Sequence, residues 1–492
     1  MCMNINIQSF LLNEEATLFD ALKVIDSNAQ GICFIVDEQG KLTGILTDGD
    51  IRRALLKSNT VDTPVKLVMN MNFNALPLGT PAELINSALN DKIRHIPLID
   101  EAGKLIDFAS RSRTRRIPIM QPSLSGNEVK YVTDCVQTGW ISSQGSYVKQ
   151  FEKMFAEYCG VPYALACSNG TTALHLALAS LGIGPGDEVI VPDYTFAASI
   201  NAILYTGATP VLVDIDRTSW TIDIDSVKTA ITDKTKAIMP VHIYGHVCDM
   251  DALTKLAAIN NIQIVEDCAE SLGSFYRKQA SGVFGAVGAF SFFGNKTITT
   301  GEGGMLIFKD KETYERASVL RDHGMSKTKR YWHDHVGYNY RMTNLQAAIG
   351  VAQMERIEEI LQLKRNIAKT YNKAFSHFEG LQLHGEKSET INSYWLYTMI
   401  VNPGFGVTRN EMIERLSKNG IEGRPAFYPL HEMPVYAKEE FIRGREFPNS
   451  KYVSENALSL PSYVDLTDEE MSSVIKSVEM AFAVKAINIE LT

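Results

Sequence analysis

A lysine between an aromatic strand and a glycine-rich turn is the first candidate for chemistry in this sequence. Lys296 lies within Phe290–Met305, where Phe-Ser-Phe-Phe begins the segment and Gly-Glu-Gly-Gly nearly ends it. An amine held against apolar walls has a lowered pKa, and the neutral amine can form a Schiff base with an aldehyde. A single lysine is more often a solvated surface residue. The interpretation therefore depends on what the fold brings near it.

An acidic segment at the end of an apolar run is the second candidate. The largely apolar run Ile262–Val265 leads into Glu266 and Asp267, and Glu270 follows. Parallel sheets place their ligands at such strand ends. A carboxylate buried there needs a cationic partner, and the protonated nitrogen of a pyridoxal ring would be one, because the acid would keep the ring able to accept electrons. The alternative is an acid that caps a helix.

A short polar segment at a helix start is the third candidate. Ser168–Thr172 reads Ser-Asn-Gly-Thr-Thr, follows the strand-like Tyr163–Ala166 and precedes an evident helix from Ala173. The free N–H groups and the dipole of a helix N-terminus favour an anion, so a phosphate fits here. The segment is neither a Walker loop nor a dinucleotide fingerprint. Plain helix capping is the alternative.

Alternating strand and helix patterns predict the element order that must position these residues. Four strand-like runs alternate with helical stretches between about residues 120 and 375: Glu188–Val191, Pro210–Val213, Ala237–Val241 and Gln263–Val265. This rhythm favours an α/β fold with a mostly parallel sheet. A strand at Trp395–Val401 and a helix at Arg409–Asn419 indicate a smaller α+β domain. We therefore expect a large domain at residues 118–375 and a small one at 376–492.

An internal repeat occupies the N-terminal part. Phe34–Leu42 recurs as Pro97–Leu105, at an offset of 63 residues, so residues 1–115 contain two copies of one small unit. Each copy combines a helical stretch, an apolar strand, an acidic-Gly turn and a second strand; the helical stretches are Leu18–Asp26 and Pro81–Asn90. The basic cluster of Arg111, Arg113, Arg115 and Arg116 follows, and we interpret it as a solvated linker at a domain boundary.

The repeat resembles a pair of CBS domains. Gly44–Asp50 fits the nucleotide motif of that family, in which Thr47 and Asp50 would face a ribose. Ser110 and Arg113 stand at the equivalent positions of the second copy, so an adenosyl-type site is expected in the first copy. The alternative is a dimerisation or docking module without a ligand.

Composition excludes several classes of protein. The chain has 492 residues with 48 Lys plus Arg against 57 Asp plus Glu, a formal charge of −9, which argues against broad nucleic-acid binding. No apolar run reaches the roughly 18 residues of a membrane span and the N-terminus lacks a signal-peptide pattern, so we expect a cytoplasmic protein. The seven cysteines are scattered without a C-x-x-C pair, which indicates reduced thiols and no metal site.

From about residue 118 to the end, the chain resembles the DegT/StrS sugar aminotransferases. Four segments carry the resemblance in the expected order: Ser168–Thr171, Glu266–Glu270, Ser291–Lys296 and Gly337–Asn344. The resemblance implies a fold-type I enzyme that uses pyridoxal 5′-phosphate. Within the family the chain most resembles the group that forms GDP-perosamine, through Ser291–Gly304, Tyr331–Asp334 and Arg424–His431.

The resemblance also implies roles for single residues. Lys296 would bind the cofactor covalently, and Asp267 would pair with its pyridine nitrogen. The other implied cofactor contacts are the phosphate ligands Gly170, Thr171 and Ser291, the ring neighbours Phe196 and Glu270, and Asn339 from the neighbouring subunit of a homodimer or a dimer of dimers. Tyr331, Arg424 and Tyr428 are candidates for nucleotide-sugar contacts. For His242, His246, His323 and His431 a structural role is at least as well supported as a sugar contact.

The implied reaction moves an amino group from glutamate to a 4-keto sugar. The expected substrate is GDP-linked 4-keto-6-deoxymannose, and the product GDP-perosamine would serve surface polysaccharide synthesis. A UDP- or dTDP-linked sugar is the nearest alternative, and an inactive nucleotide-sensing scaffold is another. A related dehydratase group has His in place of the lysine, so Lys296 argues against that activity.

Overall fold

The computed structural model of the chain describes residues 7–80, 82–90, 92–110, 116–437, 439, 441–442 and 445–483. The chain divides into two units, Met1–Ile117 with Ser417–Ile421 and Pro118–Leu416 with Glu422–Thr492. Arg111, Arg113 and Arg115 of the basic cluster lie outside the described residues. None of the helices in the described ranges has the length and apolar character needed to cross a membrane.

The described residues of the first unit form two small sheets and three α-helices. In chain order its elements are β1 Leu11–Asn13, α1 Leu18–Asn28, β2 Ile32–Val36, β3 Leu42–Thr47, α2 Asp48–Leu56, β4 Leu76–Pro77, α3 Ala82–Ala88, β5 His95–Ile99 and β6 Leu105–Ser110, with 3₁₀ helices at Ile7–Phe10 and Val65–Leu67. The strand orders are β1-β2-β3 and β4-β5-β6. In each sheet the first pair is parallel and the second antiparallel.

The two copies of the sequence repeat share the same irregularity in strand pairing. The ladder between β2 and β3 shifts between Ile35 and Val36, and the ladder between β5 and β6 shifts between Leu98 and Ile99. These positions are separated by the same 63 residues as the sequence copies. Because a register shift needs a specific local backbone, its recurrence indicates that both copies adopt the same hairpin.

The second unit is built around a seven-stranded sheet. Its elements up to residue 308 are α4 Glu128–Thr138, α5 Ser146–Cys159, β7 Tyr163–Cys167, α6 Gly170–Ser180, β8 Glu188–Pro192, α7 Ala197–Thr206, β9 Thr209–Val213, α8 Ile224–Ala230, β10 Thr235–Ile238, α9 Met250–Asn260, β11 Gln263–Asp267, β12 Phe275–Tyr276, β13 Gln279–Ala280, β14 Val287–Ser291 and β15 Gly304–Phe308. A 3₁₀ helix spans Ile243–Gly245. The sheet order is β7-β15-β14-β11-β10-β8-β9.

Only β15 runs against the other strands of this sheet. It pairs antiparallel with both β14 and β7, while β9, β8, β10, β11 and β14 pair parallel. The connection from β14 to β15 contains no helix, and a parallel return would need a crossover. The expected α/β fold with a mostly parallel sheet is confirmed, with a reversed strand directly after the lysine segment.

One strand is shorter than the sequence pattern predicts. The run Ala237–Val241 was expected to be continuous, but β10 ends at Ile238. Pro240 cannot donate to the ladder, and pairing resumes only as a single bridge between Val241 and Asp267. The irregular edge that results lies next to the acidic end of β11.

The remaining elements of the second unit include a four-stranded sheet with the order β16-β18-β20-β19. They are α10 Lys311–Arg321, α11 Asn344–Met354, α12 Ile357–Phe375, β16 Leu381–Gln382, β17 Thr390–Ile391, β18 Tyr397–Val401, α13 Arg409–Lys418, β19 Arg424–Pro425, α14 Pro448–Asn456, β20 Ala457–Leu460 and α15 Asp468–Ala483, with a 3₁₀ helix at Leu430–Glu432. The strand predicted to begin at Trp395 begins two residues later, which leaves Trp395 outside the ladder.

Candidate active site

A cavity of about 650 Å³ lies at the ends of the central strands of the second unit. Its wall contains most of the residues expected from the sequence: Gly170, Thr171, Asp267, Glu270, Ser291 and Lys296. They come from three separate segments: the start of α6, the end of β11 with the turn after it, and the end of β14 with the turn after it. The fold therefore joins the three candidate segments in one site.

The start of α6 forms the first wall. Asn169 is the N-cap, its side chain accepts the backbone N–H of Thr172, and the Thr172 hydroxyl accepts the N–H of Asn169. This reciprocal cap satisfies two backbone donors, while Gly170 and Thr171 in the first turn have no intrahelical partner for theirs. Their N–H groups are consequently suited to bind an anion in the cavity. The capping and anion-binding interpretations of this segment are compatible, because they use different N–H groups.

Ser291 faces the cavity because its neighbours are buried on the opposite side of β14. Phe290 and Phe292 pack against Phe151 and Phe155 at ring distances of 5.0 to 5.5 Å, and side chains alternate along a strand. A methyl group added to Gly170 would lie 2.7 Å from Cβ of Ser291. Glycine at this position therefore lets the start of α6 approach the serine closely.

Asp267 ends β11 as a buried carboxylate, only 4% exposed. Its oxygens accept a hydrogen bond from the hydroxyl of Ser199 at 2.7 Å and one from the backbone N–H of Ala269 at 3.1 Å. Burial raises the pKa of Asp267, and these bonds offset the rise only in part. Both donors are uncharged, so a cation in the cavity would stabilise the carboxylate, as the protonated nitrogen of a pyridine ring would.

Lys296 reaches the same cavity from the turn after β14. Its side chain is 13% exposed, and its Nζ lies 3.6 Å from Oε1 of Glu270. Burial lowers the pKa of Lys296, and the charges of Glu270 and Asp267 oppose that change. A buried amine with a lowered pKa is a better nucleophile and base than an exposed lysine, because more of it is neutral. The structure thus supports the recessed-amine interpretation over the solvated one.

Glu270 is held behind the lysine by the backbone. Its Oε2 accepts the N–H of Tyr244 at 2.8 Å, and burial raises its pKa to about 7, with the charge of Lys296 opposing the rise. Burial moves the pKa values of the acid and the amine toward each other. Moving a proton between Glu270 and Lys296 therefore costs less than it would for the same pair in water.

A buried histidine–glutamate pair supports the strand that carries Asp267. The Nε2 of His242 lies 3.0 Å from Oε2 of Glu266, whose oxygens also accept the backbone N–H groups of Gly282, Phe284 and Gly285. One side-chain atom each of His242, Glu266 and Cys268 lies within 4.8 Å of the other two. Since Glu266 is engaged in hydrogen bonds, the cluster fixes the backbone, and His242 has the structural role considered from the sequence.

Two further expected residues lie in the cavity wall. Phe196 is 60% exposed and lines the cavity, so it is not the core aromatic that was the alternative. Arg424 also lines the cavity, and its guanidinium pairs with Glu422 at 2.9 Å. An arginine in the wall provides a forked donor for a carboxylate or a phosphate.

Three expected residues lie outside this wall. Tyr331 and Tyr428 are 75% and 60% exposed, and neither lines the cavity. Asn339 is exposed as well, and its side-chain oxygen accepts a bond from Arg341 at 3.3 Å. Within a single chain the structure does not bring these three residues to the lysine.

Ser199 and Trp395 are site residues that the sequence patterns did not reveal. Ser199 lies on α7 and bonds Asp267, and the ring of Trp395 lies 3.9 Å from Nζ of Lys296. Neither belongs to a motif with a recognisable chemistry. The nearest signal was the start of a predicted strand at Trp395, which pointed to packing.

In the first unit, Thr47 and Asp50 form a helix cap. Thr47 accepts the backbone N–H of Asp50, and the Asp50 carboxylate accepts both the N–H and the hydroxyl of Thr47. Thr17 and Asp20 form the same capping box at α1. The Thr47 motif thus has a structural role that its spacing alone explains. Ser110 ends β6, and Arg113 lies outside the described residues.

Comparisons with known proteins agree with this geometry. The profile of the DegT/DnrJ/EryC1/StrS aminotransferase family matches residues 122–479, and that of the CBS domain matches residues 6–57, the first copy of the repeat. GDP-perosamine synthase of Escherichia coli O157:H7 is 44% identical over 369 residues, 75% of this chain and 99% of that protein. The enzyme of the same name from Vibrio cholerae is 45% identical over 74% of this chain and 99% of that protein.

Solved structures show the same similarity. Spr1654 from Streptococcus pneumoniae in its PMP form has a TM-score of 0.71 at 32% identity, covering 77% of this chain and 100% of that one. Its PLP form has a TM-score of 0.70 at 32% identity, covering 75% and 99%. Helicobacter pylori PseC, an aminotransferase involved in the biosynthesis of pseudoaminic acid, has a TM-score of 0.71 at 26% identity, covering 75% and 100%.

Proposed function

The chain belongs to the DegT/DnrJ/EryC1/StrS aminotransferase family, and we propose that it converts GDP-4-keto-6-deoxymannose to GDP-perosamine with glutamate as amino donor. It is a sugar aminotransferase that depends on pyridoxal phosphate. The sugar assignment is supported by two GDP-perosamine synthases at 44% and 45% identity over 99% of their length. The observation that carries the chemistry is the meeting of Lys296, Asp267 and the start of α6 in one cavity.

The residues of this cavity fit the cofactor. The unpaired N–H groups of Gly170 and Thr171, with the hydroxyl of Ser291, would hold its phosphate. Asp267 would hold its ring nitrogen in the protonated state, which its burial beside uncharged donors favours. Phe196 would cover one face of the ring. When bound, pyridoxal phosphate supplies an electron sink that stabilises negative charge on the substrate carbon.

Lys296 would provide the covalent attachment and move the protons. Burial lowers the pKa of this amine, so more of it is neutral than in an exposed lysine, and the neutral amine can accept a proton from the substrate carbon. Glu270, 3.6 Å away, can take up that proton or return it. Both half-reactions would then use Lys296 as the base. The first half-reaction releases 2-oxoglutarate, and the second delivers the amino group to the 4-keto carbon.

The sugar nucleotide would bind at the rim of the cavity. Arg424 is suited to the diphosphate because its guanidinium can form two parallel bonds to phosphate oxygens. We further propose that Asn339 and Tyr331 contribute to the cavity of a second chain in a homodimer or a dimer of dimers, since both are exposed and lie outside the cavity of their own chain. Tyr428 is proposed as a nucleotide contact at the same rim.

The first unit would act as a regulatory module. We propose that a nucleotide binds near Thr47 and Asp50 of the first copy and controls activity or assembly. The alternative role is docking without a ligand, and the capping box formed by the two residues is compatible with either. Calorimetry of the full chain and of Thr47→Ala with adenine and guanine nucleotides separates the two roles. A regulatory site predicts heat of binding that the variant loses, whereas docking predicts no difference between the two proteins.

Mass detection of amino-sugar product tests the activity. The protein is incubated with glutamate and, in parallel, with GDP-, UDP- and dTDP-linked 4-keto-6-deoxy sugars. Product from the GDP sugar at the highest kcat/KM supports the proposal, and preference for a UDP or dTDP sugar overturns the nucleotide assignment. Absence of product from all three, with no cofactor absorbance after added pyridoxal phosphate, would instead support an inactive scaffold.

A further inference from the structure

Trp395 contacts both the backbone and the amine of the Lys296 segment. Its indole N–H donates a 2.7 Å hydrogen bond to the carbonyl oxygen of Asn295, the residue before the lysine. Its ring centroid lies 3.9 Å from the Nζ of Lys296. The indole therefore spans the lysine side chain, with one contact at its base and one at its tip.

The indole is itself fixed in an aromatic stack. Trp395 is 4% exposed, and its ring stacks on that of Tyr244 at 6.0 Å and 8°. Tyr244 stacks in turn on Phe427 at 5.5 Å and 16°, and its backbone N–H donates to Glu270. The same stack thus helps to place both the ring face, at 3.9 Å, and the carboxylate, at 3.6 Å, next to the amine. Because these rings are packed, Trp395 offers a position for the amine that is defined before the reaction begins.

The ring face is a suitable partner for a protonated amine in this place. The Glu270 oxygen is 3.6 Å away, which is longer than a strong charge-assisted hydrogen bond. Indole has the strongest attraction for a cation among the aromatic side chains, and burial strengthens it by removing competing water. The stabilisation acts on the charged form of Lys296, so it opposes the effect of burial on that amine.

We propose that Trp395 is a positioning residue for Lys296: it holds the free ammonium of the lysine on its ring face and anchors the preceding peptide through its N–H. The inference rests on the proposed role of Lys296 as the residue that carries the cofactor. The lysine amine is free during the part of the reaction in which the transferred amino group has left glutamate and has not yet reached the sugar. Holding it at one place keeps it within reach of both Glu270 and the reacting carbon.

The test measures the pKa of Lys296 in the cofactor-free full-length protein. Acylation by acetic anhydride is followed across pH by mass spectrometry of the peptide that contains Lys296. In Trp395→Leu the pKa falls by about 0.5 to 1 unit, and in Trp395→Phe by a smaller amount, because a phenyl ring attracts cations less strongly than indole. Trp220→Phe is the matched control, since Trp220 packs edge-on against Tyr244 at 6.3 Å and belongs to the same aromatic cluster. Its Lys296 pKa stays at the wild-type value.

A second measurement isolates the indole N–H. The rate of cofactor attachment is compared at a pH above the Lys296 pKa of every protein, where the amine is neutral in all of them. Both Trp395 variants lose the bond to Asn295, so added pyridoxal phosphate becomes linked to Lys296 about fivefold more slowly than in wild type, while Trp220→Phe keeps the wild-type rate. An unchanged or raised pKa of Lys296 in Trp395→Leu overturns the proposal. If that variant does not fold, an unchanged pKa in Trp395→Phe does so.

Borohydride reduction separates this proposal from the proposed function. A reduced cofactor label on Lys296 in wild type and in both variants keeps the function intact whatever the pKa shows. If wild type itself carries no label at Lys296, the proposed function fails, and the proposed role of Trp395 fails with it.

Discussion

The hydroxyl of Ser199 donates a 2.7 Å hydrogen bond to Oδ2 of Asp267 in the buried centre of the site. Ser199 is fully buried, and its hydroxyl oxygen lies 2.9 Å from that of Thr195. Each Asp267 oxygen thus has one donor from the chain and keeps lone-pair capacity for a ligand. The bond fixes the direction of the carboxylate that would pair with the ring nitrogen of the cofactor.

Removing the charge of Asp267 is expected to lower kcat far more than removing its hydrogen-bond donor, Ser199. In Asp267→Asn we expect kcat to fall by about 10² to 10⁴, since a charge held against the developing transition state is lost. Ser199→Ala leaves the charge and loses one bond, so kcat falls by about tenfold. Steady-state kinetics on both variants checks this order. Ser180→Ala, a buried serine of α6 that bonds the Ala177 carbonyl, is the matched control and keeps wild-type kcat.

Replacing the candidate lysine tests the covalent assignment. Lys296→Ala is expected to lose transamination completely and to retain the fold, because the side chain lies at a cavity wall. Product detection, circular dichroism and borohydride labelling measure these three outcomes. Lys309→Ala, at an exposed position after β15, serves as control. Appreciable turnover in the Lys296 variant would contradict the assignment.

The sequence predicted those site residues for which one short segment contains both a secondary-structure pattern and the side chain or backbone group that acts in the site. Asp267 could be placed because an apolar strand ends at it, and Gly170 because a strand, a polar turn and a helix follow one another. Strand ends and helix starts are local features, so their periodicity and capping residues identify them. The family resemblance added the role of each residue.

Contacts between distant segments could not be predicted in this way. Trp395 meets Asn295 across 100 residues, and its neighbours gave the pattern of a strand. Ser199 is one of several small polar residues near the start of a helix, and its register against β11 depends on packing. The reversal of β15 also has no local signal, because its sequence satisfies a parallel strand equally well.

Arg424 is expected to act in binding more than in catalysis. It lines the cavity and is partly exposed, with one nitrogen paired to Glu422. In Arg424→Gln the KM for the nucleotide sugar should rise by about tenfold or more, the effect of losing a hydrogen bond to a charged group, and kcat should stay within about twofold. Arg277→Gln, an exposed arginine paired with Asp251, is the control. A fall in kcat without a change in KM would argue against this role.

The paired capping boxes of the first unit allow a matched test of nucleotide binding. Thr47→Ala and Thr17→Ala each remove the same cap at a helix start, and each should lower the free energy of unfolding of that unit by about 1 kcal/mol. Only Thr47 lies in the nucleotide motif. If a nucleotide binds there, calorimetry on the full chain shows weaker binding in Thr47→Ala and unchanged binding in Thr17→Ala. Equal loss in both variants would indicate that only the fold of the unit matters.

Two stacked histidines should make the second unit sensitive to acid. The rings of His246 and His384 lie 5.8 Å apart at 6°, and burial lowers the pKa of His246 to about 4 and that of His384 to about 3. Unfolding restores ordinary values near 6.5, so the unfolded chain binds more protons below that pH. The two histidines therefore do not lower the free energy of unfolding above pH 6.5, and they lower it progressively as the pH falls toward 4.

The size of this effect follows from the same pKa difference. Between pH 7.5 and pH 5 each histidine should lower the free energy of unfolding by about 2 kcal/mol. His384→Phe removes one titrating group, so urea denaturation should show a smaller loss of stability over this range than in wild type. His377→Phe, at an exposed position, should retain the wild-type loss. Equal losses in wild type and His384→Phe would contradict the assignment of His384 as a neutral buried group, because a residue that does not change its proton count on unfolding cannot make stability depend on pH.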